Sequence, residues 1–452
     1  MAITQRGASR RRGTGLTVGA LVAAAAVTLA GCAPGGSAPS DTNTTAVSTK
    51  LTIEDVKLVI ADETGFPLTD QLTAEFTKQY PNVTFEVTRD TFQNLTANAP
   101  KLLASSTPPD LIRLPTIGDT VKDGLLANLD PYFDAYGWDA WPASQLAPLR
   151  MSKDGIRGSG SLYQLGLGYS VTGIFMNTKL ADQLGIDAPP TTLAELEADL
   201  ATAKAGGVLP IMAGDKDGVV NFVVQAAMNQ YVDKGEFMKW MFNEPGARYD
   251  QPGTTEGAEL VRKWADAGYF PSDINAIDYA TFVSRFGEGE GLFTFNGNWA
   301  AQGYQDALGK DVTFFLAPPV KEGAGHVAMG AANSFSVAAK SKNLNEIVYF
   351  LNWIHTDPKA RQIVVDVTGA APGGDPALPQ PTVASGSLIE QALAMSATIG
   401  EENGQVDFMA NTTAGIYAGS IIPESQLLVT SQITGKEFVD RVQKFYESEI
   451  GG

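Results

Sequence analysis

The chain has 452 residues, with 50 acidic against 32 basic side chains and a net charge of −18. That surface repels phosphate backbones and anionic headgroups and argues against nucleic acid as a partner. A single cysteine excludes an internal disulfide and a cysteine-rich metal site, and the two histidines, His326 and His355, stand in no zinc-binding spacing.

The first 31 residues read as an export signal: Arg6, Arg10, Arg11 and Arg12 precede an uncharged run from Leu16 to Ala30. The run is too short and too rich in Ala for a spanning helix. Leu29-Ala30-Gly31-Cys32 resembles the bacterial lipobox, which makes Cys32 the expected lipid-attachment point. "SRRRGTGL" resembles a twin-arginine signal, with Gly13 where a bulky apolar residue is expected, so the export route stays open. Residues 32 to 50, mostly Gly, Ser, Pro, Thr and Asn, read as a flexible tether. Losing residues 1 to 31 removes four of the 32 basic residues and no acid, leaving 28 against 50, a net charge of −22. About 400 residues remain beyond the tether, enough for two cores rather than one.

The body opens with a strand in "DVKLVIA", a polar loop in "DETGFP", a helix spacing Leu68, Leu72, Phe76 and Tyr80 four apart, and an alternating strand in "PNVTFEVT". A helix over Gln93 to Ser105, with a kink expected at Pro100, leads to a strand in "PPDLIRL". This order predicts an α/β protein with a parallel sheet, and its ligand is expected at the strand C-terminal ends, at Asp62 to Pro67 and Arg113 to Thr116. Further on, "MNTKLADQLGI" reads as a helix, and Pro-Pro-Thr-Thr caps another that begins near Leu193.

The stretch "YQLGLGYSVTGIFMNTKLADQLGIDAPPTTLAEL" resembles the crossover of extracellular solute-binding proteins of bacterial ABC importers, the sugar-binding group that includes maltose-binding protein. "TPPDLI", "GEGEGLFTFNGNW" and the segment from His326 to Pro372 resemble the same family in the same order, so the likeness runs from about residue 51 to the C-terminus. It implies a two-lobed periplasmic-binding-protein-like fold with hinge strands around a central cleft. The implied crossings are Gly166 to Tyr169, Ala317 to Val320 and Thr368 to Pro372. One lobe is then 51–167 plus 320–369 and the other 168–319 plus 370–452. The implied function is that of a lipid-anchored extracellular protein which captures a sugar or oligosaccharide and presents it to ABC permease subunits as a monomer, with no cofactor or metal.

Sugars offer hydroxyls and C–H faces, so aromatic rings and planar polar groups are the candidates for contacting them. Trp299, in the first turn after "GLFTFN", is the leading one, with Asn298 offering either ligand contacts or a helix cap. In the first loop, Glu63, Thr64 and Phe66 follow, although Val59-Ile60-Ala61 stands where many sugar binders carry an aromatic. Arg113 either forks onto a ligand or pairs with a neighbouring acid. Tyr169, Phe222, Asn333 and Tyr417 are lesser candidates, each of which could equally pack the core. "DKDG" at 215–218 fails as a calcium loop because its twelfth position is Ala226. "EGE" at 288–290 reads as a turn rather than a glycosidase carboxylate pair. A binding protein for another polar solute is the alternative within the same fold, and a polysaccharide-active surface enzyme is the competing class.

Overall fold

The computed structural model describes residues 46 to 451. Cys32 and the expected signal lie outside the described residues. The strands are β1 (Val56–Glu63), β2 (Val83–Asp90), β3 (Leu111–Arg113), β4 (Arg150–Met151), β5 (Ser161–Leu162), β6 (Gln164–Asn177), β7 (Phe293–Gly297), β8 (Val312–Phe315), β9 (Ala328–Val337) and β10 (Gln405–Val406).

The four-residue spacing after β1 becomes the helix Leu68–Gln79, with Leu68, Leu72 and Phe76 fully buried. Because that helix returns the chain to the same end of the sheet, β2 runs parallel to β1, from Val56 opposite Val83 to Glu63 opposite Asp90. A second helix, Phe92–Ala104, carries Pro100 and delivers β3 parallel to β1 on its other side. Phe76 sits among Tyr80, Phe85, Phe350 and Trp353, with ring centroids 4.6, 5.8, 5.1 and 5.0 Å away. Burying such a ring stabilises the fold by about 1.5–3 kcal/mol.

Two large cores result. One holds Leu58, Leu72, Phe76, Leu165, Phe335 and Phe350; the other holds Ile174, Leu196, Trp240, Trp264, Phe293 and Met329. The helix over the second core, Leu193–Ala205, starts at a capping box in which Thr192 and Glu195 satisfy each other's free backbone N–H groups. Smaller clusters cover the opposite sheet faces, around Leu95 and Ile112 and around Phe175 and Phe286.

β6 and β9 serve both cores. They run antiparallel from Gln164 opposite Ser336 to Val171 opposite Gly330, with a register shift between Gly166 and Tyr169. The backbones approach so closely that a Cβ on Gly166 would lie 2.4 Å from that of Ala332. A third passage lies where Tyr169 pairs with Ala371.

The expected crossing near Ala317 to Val320 moves. Ala317 packs in the second core, the Pro319 carbonyl accepts from the Leu193 N–H at 2.9 Å, and the passage falls within β9 at residues 330 to 334. The prolines that read as a hinge merely follow a strand end. The expected tether also shortens. The Ser48 N–H donates to Asn345 Oδ1 (3.0 Å), and Asn345 Nδ2 donates to the Ala46 carbonyl (3.1 Å), so residues 46 to 50 lie against the body through main-chain bonds that need no apolar pattern.

His355 lies beside the third passage, almost fully buried against Trp141 at a centroid distance of 4.5 Å. Arg361, also buried, donates through Nη1 to the carbonyls of His355 (3.1 Å) and Gly373 (2.6 Å). Burial, aided by the Arg361 charge, lowers the His355 pKa to about 3, so the ring is neutral at physiological pH.

Candidate functional site

The C-terminal ends of β1 and β3 bring Glu63 and Arg113 together, Arg113 Nη2 lying 3.1 Å from Glu63 Oε1. The guanidinium carbon sits 4.0 Å from the centroid of the buried Phe66 ring, a cation–π stack that holds its plane. Arg113 Nη1 is buried without a hydrogen-bond partner, one donor left over from the pair. Burial raises the Glu63 carboxyl above its ordinary pKa, while Arg113 pulls it down. Asp62 is structural: fully buried, it accepts from Thr69 Oγ1 at 2.6 Å and from Arg89 Nη1 at 3.3 Å. Thr64 is exposed, and its N–H and hydroxyl both turn to the Asp90 carbonyl, at 2.8 and 3.2 Å.

On the side of the second core, β7 ends at Gly297, and the Trp299 ring folds back over it. A Cβ at Gly297 would lie 2.0 Å from that ring, so only glycine leaves room. Trp299 Nε1 donates to the Tyr279 hydroxyl at 2.8 Å, which fixes the ring in its plane. Phe222 and Phe408 stand 5.8 and 6.4 Å from Trp299, centroid to centroid, and 6.0 Å from each other. Phe222 and Trp299 are thus brought together, as parts of an aromatic trio.

The Tyr279 N–H donates to Asp217 Oδ2 (3.2 Å), and the Tyr417 hydroxyl donates to the Asp217 carbonyl (2.7 Å). Tyr417 therefore supports the loop that carries Asp217. Burial is the main cause that raises the Tyr279 hydroxyl to about 12, with smaller contributions from the Glu63 and Asp217 charges.

Three expected residues sit at the passages instead. Asn298 is fully buried, with Oδ1 accepting from the Val171 N–H at 3.3 Å and Nδ2 donating to the Gly369 carbonyl at 2.9 Å. Both ends of its amide hold main-chain groups. Nor does it cap a helix: it is the first residue of the short turn Asn298–Ala300, whose cap position is Gly297. It staples β6 to the third passage. Tyr169 spends its hydroxyl on the Gln145 carbonyl at 3.2 Å. Asn333 accepts from Ser170 Oγ at 3.5 Å and leaves Nδ2 unpartnered.

The residues that sequence reasoning missed are Tyr279, Phe408 and Asp217. Tyr279 follows the capping Asp278 on a helix start and gives no aromatic signal of its own, and Phe408 lies in a short irregular stretch. Among the described residues no group of three or more His, Cys, Asp or Glu is arranged to hold a metal ion, and no helix is long and apolar enough to cross a membrane.

Residues 71–390 match the family model for bacterial extracellular solute-binding proteins. The chain belongs to that family. Membership makes this solute-binding protein a binder rather than an enzyme, so the polysaccharide-cleaving alternative falls. No match was found among the curated proteins.

Solved structures share its α/β, two-lobed architecture. A chitin oligosaccharide binding protein superposes with a TM-score of 0.72 at 18% identity, covering 86% of this chain and 98% of that one. RafE in complex with raffinose gives 0.67 at 16% identity, with 87% and 99% covered. Maltose-bound MalE3 of T. maritima gives 0.67 at 14%, again with 87% and 99% covered.

Proposed function

We propose that this solute-binding protein captures an uncharged sugar or oligosaccharide between two lobes and hands it to the permease subunits of an ABC importer, held at the outer face of the cell membrane by a lipid on Cys32. The lobes pivot about the passages at 166–169, 330–334 and 369–373. The observation that carries the reading is the aromatic trio of Trp299, Phe222 and Phe408, with the Glu63–Arg113 pair at the ends of β1 and β3 as its polar complement. Aromatic faces suit sugar C–H surfaces. A cation and an anion that already neutralise each other offer hydrogen bonds to hydroxyls while giving a charged ligand no net partner. The fold neighbours that bind chitin oligosaccharides, raffinose and maltose support a sugar as the ligand class.

The test is a thermal-shift panel on the purified chain without residues 1–31, using maltose, raffinose, and chitin and xylan oligosaccharides alongside amino acids, peptides and uronates. One neutral sugar at a hundred times its Kd should add about 2.7 kcal/mol of stability. A shift with a charged solute and with no sugar would overturn the ligand class. The anchor has its own test: a Cys32→Ser chain should lose lipid labelling and leave the membrane fraction, and a chain that stays membrane-bound rejects it.

A further inference from the structure

We infer that the hairpin formed by β4 and β5 is a strap holding the two lobes closed, with Arg157 at its tip acting as a positioning residue for the aromatic wall of the cleft. The hairpin is rooted in the first core through Leu149 and Leu162. Its tip reaches the second core, where the Arg157 N–H donates to the Phe242 carbonyl at 3.3 Å. A Cβ on Gly158 would meet the Phe242 ring at 3.2 Å, so the tip sits flush on that side chain.

Arg157 works in both directions. Nε donates to the Pro148 carbonyl on its own side (2.8 Å), Nη2 lies 2.6 Å from Asp407 Oδ2 on the other, and the guanidinium carbon stands 5.2 Å from the centre of the Phe242 ring. The Arg157 and Asp407 side chains are only 9% and 5% exposed, so the pair is shielded from solvent and salt. Parting the lobes here would break the Arg157–Asp407 contact and the Arg157 N–H bond to Phe242 and lift the tip off the Phe242 ring, so these contacts oppose opening.

The same carboxylate organises the binding wall. Asp407 Oδ1 accepts from the Phe408 N–H at 2.6 Å and from Asn411 Nδ2 at 3.1 Å, and its carbonyl accepts from Gln225 Nε2 at 2.6 Å. Phe408 is one corner of the trio around Trp299. Arg157 therefore reaches the ligand only through Asp407 and Phe408. The ligand arm of the test rests on the proposed sugar-binding reading, whereas the ligand-free arm does not.

The experiment compares the wild-type chain with Arg157→Gln, Asp407→Asn, the double variant and Arg157→Lys, each checked by circular dichroism. In ligand-free small-angle scattering, Arg157→Gln should give a larger radius of gyration than wild type, with Arg157→Lys between them. With whichever of maltose, raffinose or chitin oligosaccharide stabilises the wild type, stopped-flow dissociation should speed up about tenfold or more for Arg157→Gln. Association should change little, and the double variant should be no worse than either single. If Arg157→Gln does not fold, Arg157→Lys carries the comparison. A folded variant with the wild-type scattering profile overturns the strap whatever the ligand proves to be. Unchanged dissociation overturns the positioning role.

Discussion

Replacing Trp299 with Ala is expected to weaken sugar binding about 30-fold or more, the loss that follows when a central aromatic anchor worth 2 kcal/mol or more is truncated. The ring is half-buried, pinned by its hydrogen bond to Tyr279 and flanked by Phe222 and Phe408, so the truncation removes a rigid face rather than a mobile one. A companion change separates loss of the ring from loss of its position. Gly297→Ala keeps Trp299 but puts a methyl where the ring lies, 2.0 Å from it, on a backbone whose φ of −93° alanine accepts. The ring must swing away, and affinity should fall toward the Trp299→Ala value while the melting temperature changes less. Isothermal titration with the sugar identified by thermal shift measures the affinities, and a thermal melt the stabilities. Full affinity in a folded Trp299→Ala protein rejects the site.

The second large effect is a dependence of stability on pH that originates at His355. Its folded pKa is depressed to about 3 by burial and by Arg361, whereas the unfolded chain protonates near 6.5. Below about pH 6.5 the unfolded state binds a proton that the folded state refuses, so stability is complete above that pH and declines as pH falls toward 3. The loss approaches about 1.4 kcal/mol per pH unit within that window. Buried carboxyls titrate in the opposite sense, Glu63 and Asp215 both having raised pKa values. The informative quantity is therefore the difference between the wild type and His355→Gln in urea unfolding at pH 7.5, 6.0 and 5.0. The variant should lose less stability on acidification. Parallel curves would place the effect elsewhere.

Local chemistry was legible wherever one residue decides one bond. The spacing of Leu68, Leu72 and Phe76 announced a helix with a buried face, Pro-Pro-Thr-Thr announced the cap of the helix at Leu193, and β1, β2 and β3 followed from short β-branched runs separated by helical ones. Arg113 in an apolar strand flagged itself as a charge needing a partner, and the acid it meets, Glu63, lies fifty residues away on the neighbouring strand end. The passages were legible as glycine-rich places but not as a set. Ala317-Pro318-Pro319 looked like a hinge, whereas β9 makes that passage with residues that pair with β6, just before its end at Phe335 to Val337 pairs with β3.

By itself the sequence determined the acidic, two-core α/β chain, the helices and strands of its first lobe and the likeness to solute-binding proteins. These rest on short-range periodicity, on composition and on motif order, all of which a linear string carries. Tertiary structure alone decided which polar groups remain free. Asn298 holds main-chain groups of β6 and the third passage, Tyr169 and Tyr417 donate their hydroxyls to carbonyls, and Tyr279 and Phe408 come beside Trp299 from unremarkable stretches. The physical reason is that a side chain's hydrogen-bonding capacity is consumed by whichever partner the fold brings within about 3 Å, and those partners lie tens to hundreds of residues away along the chain.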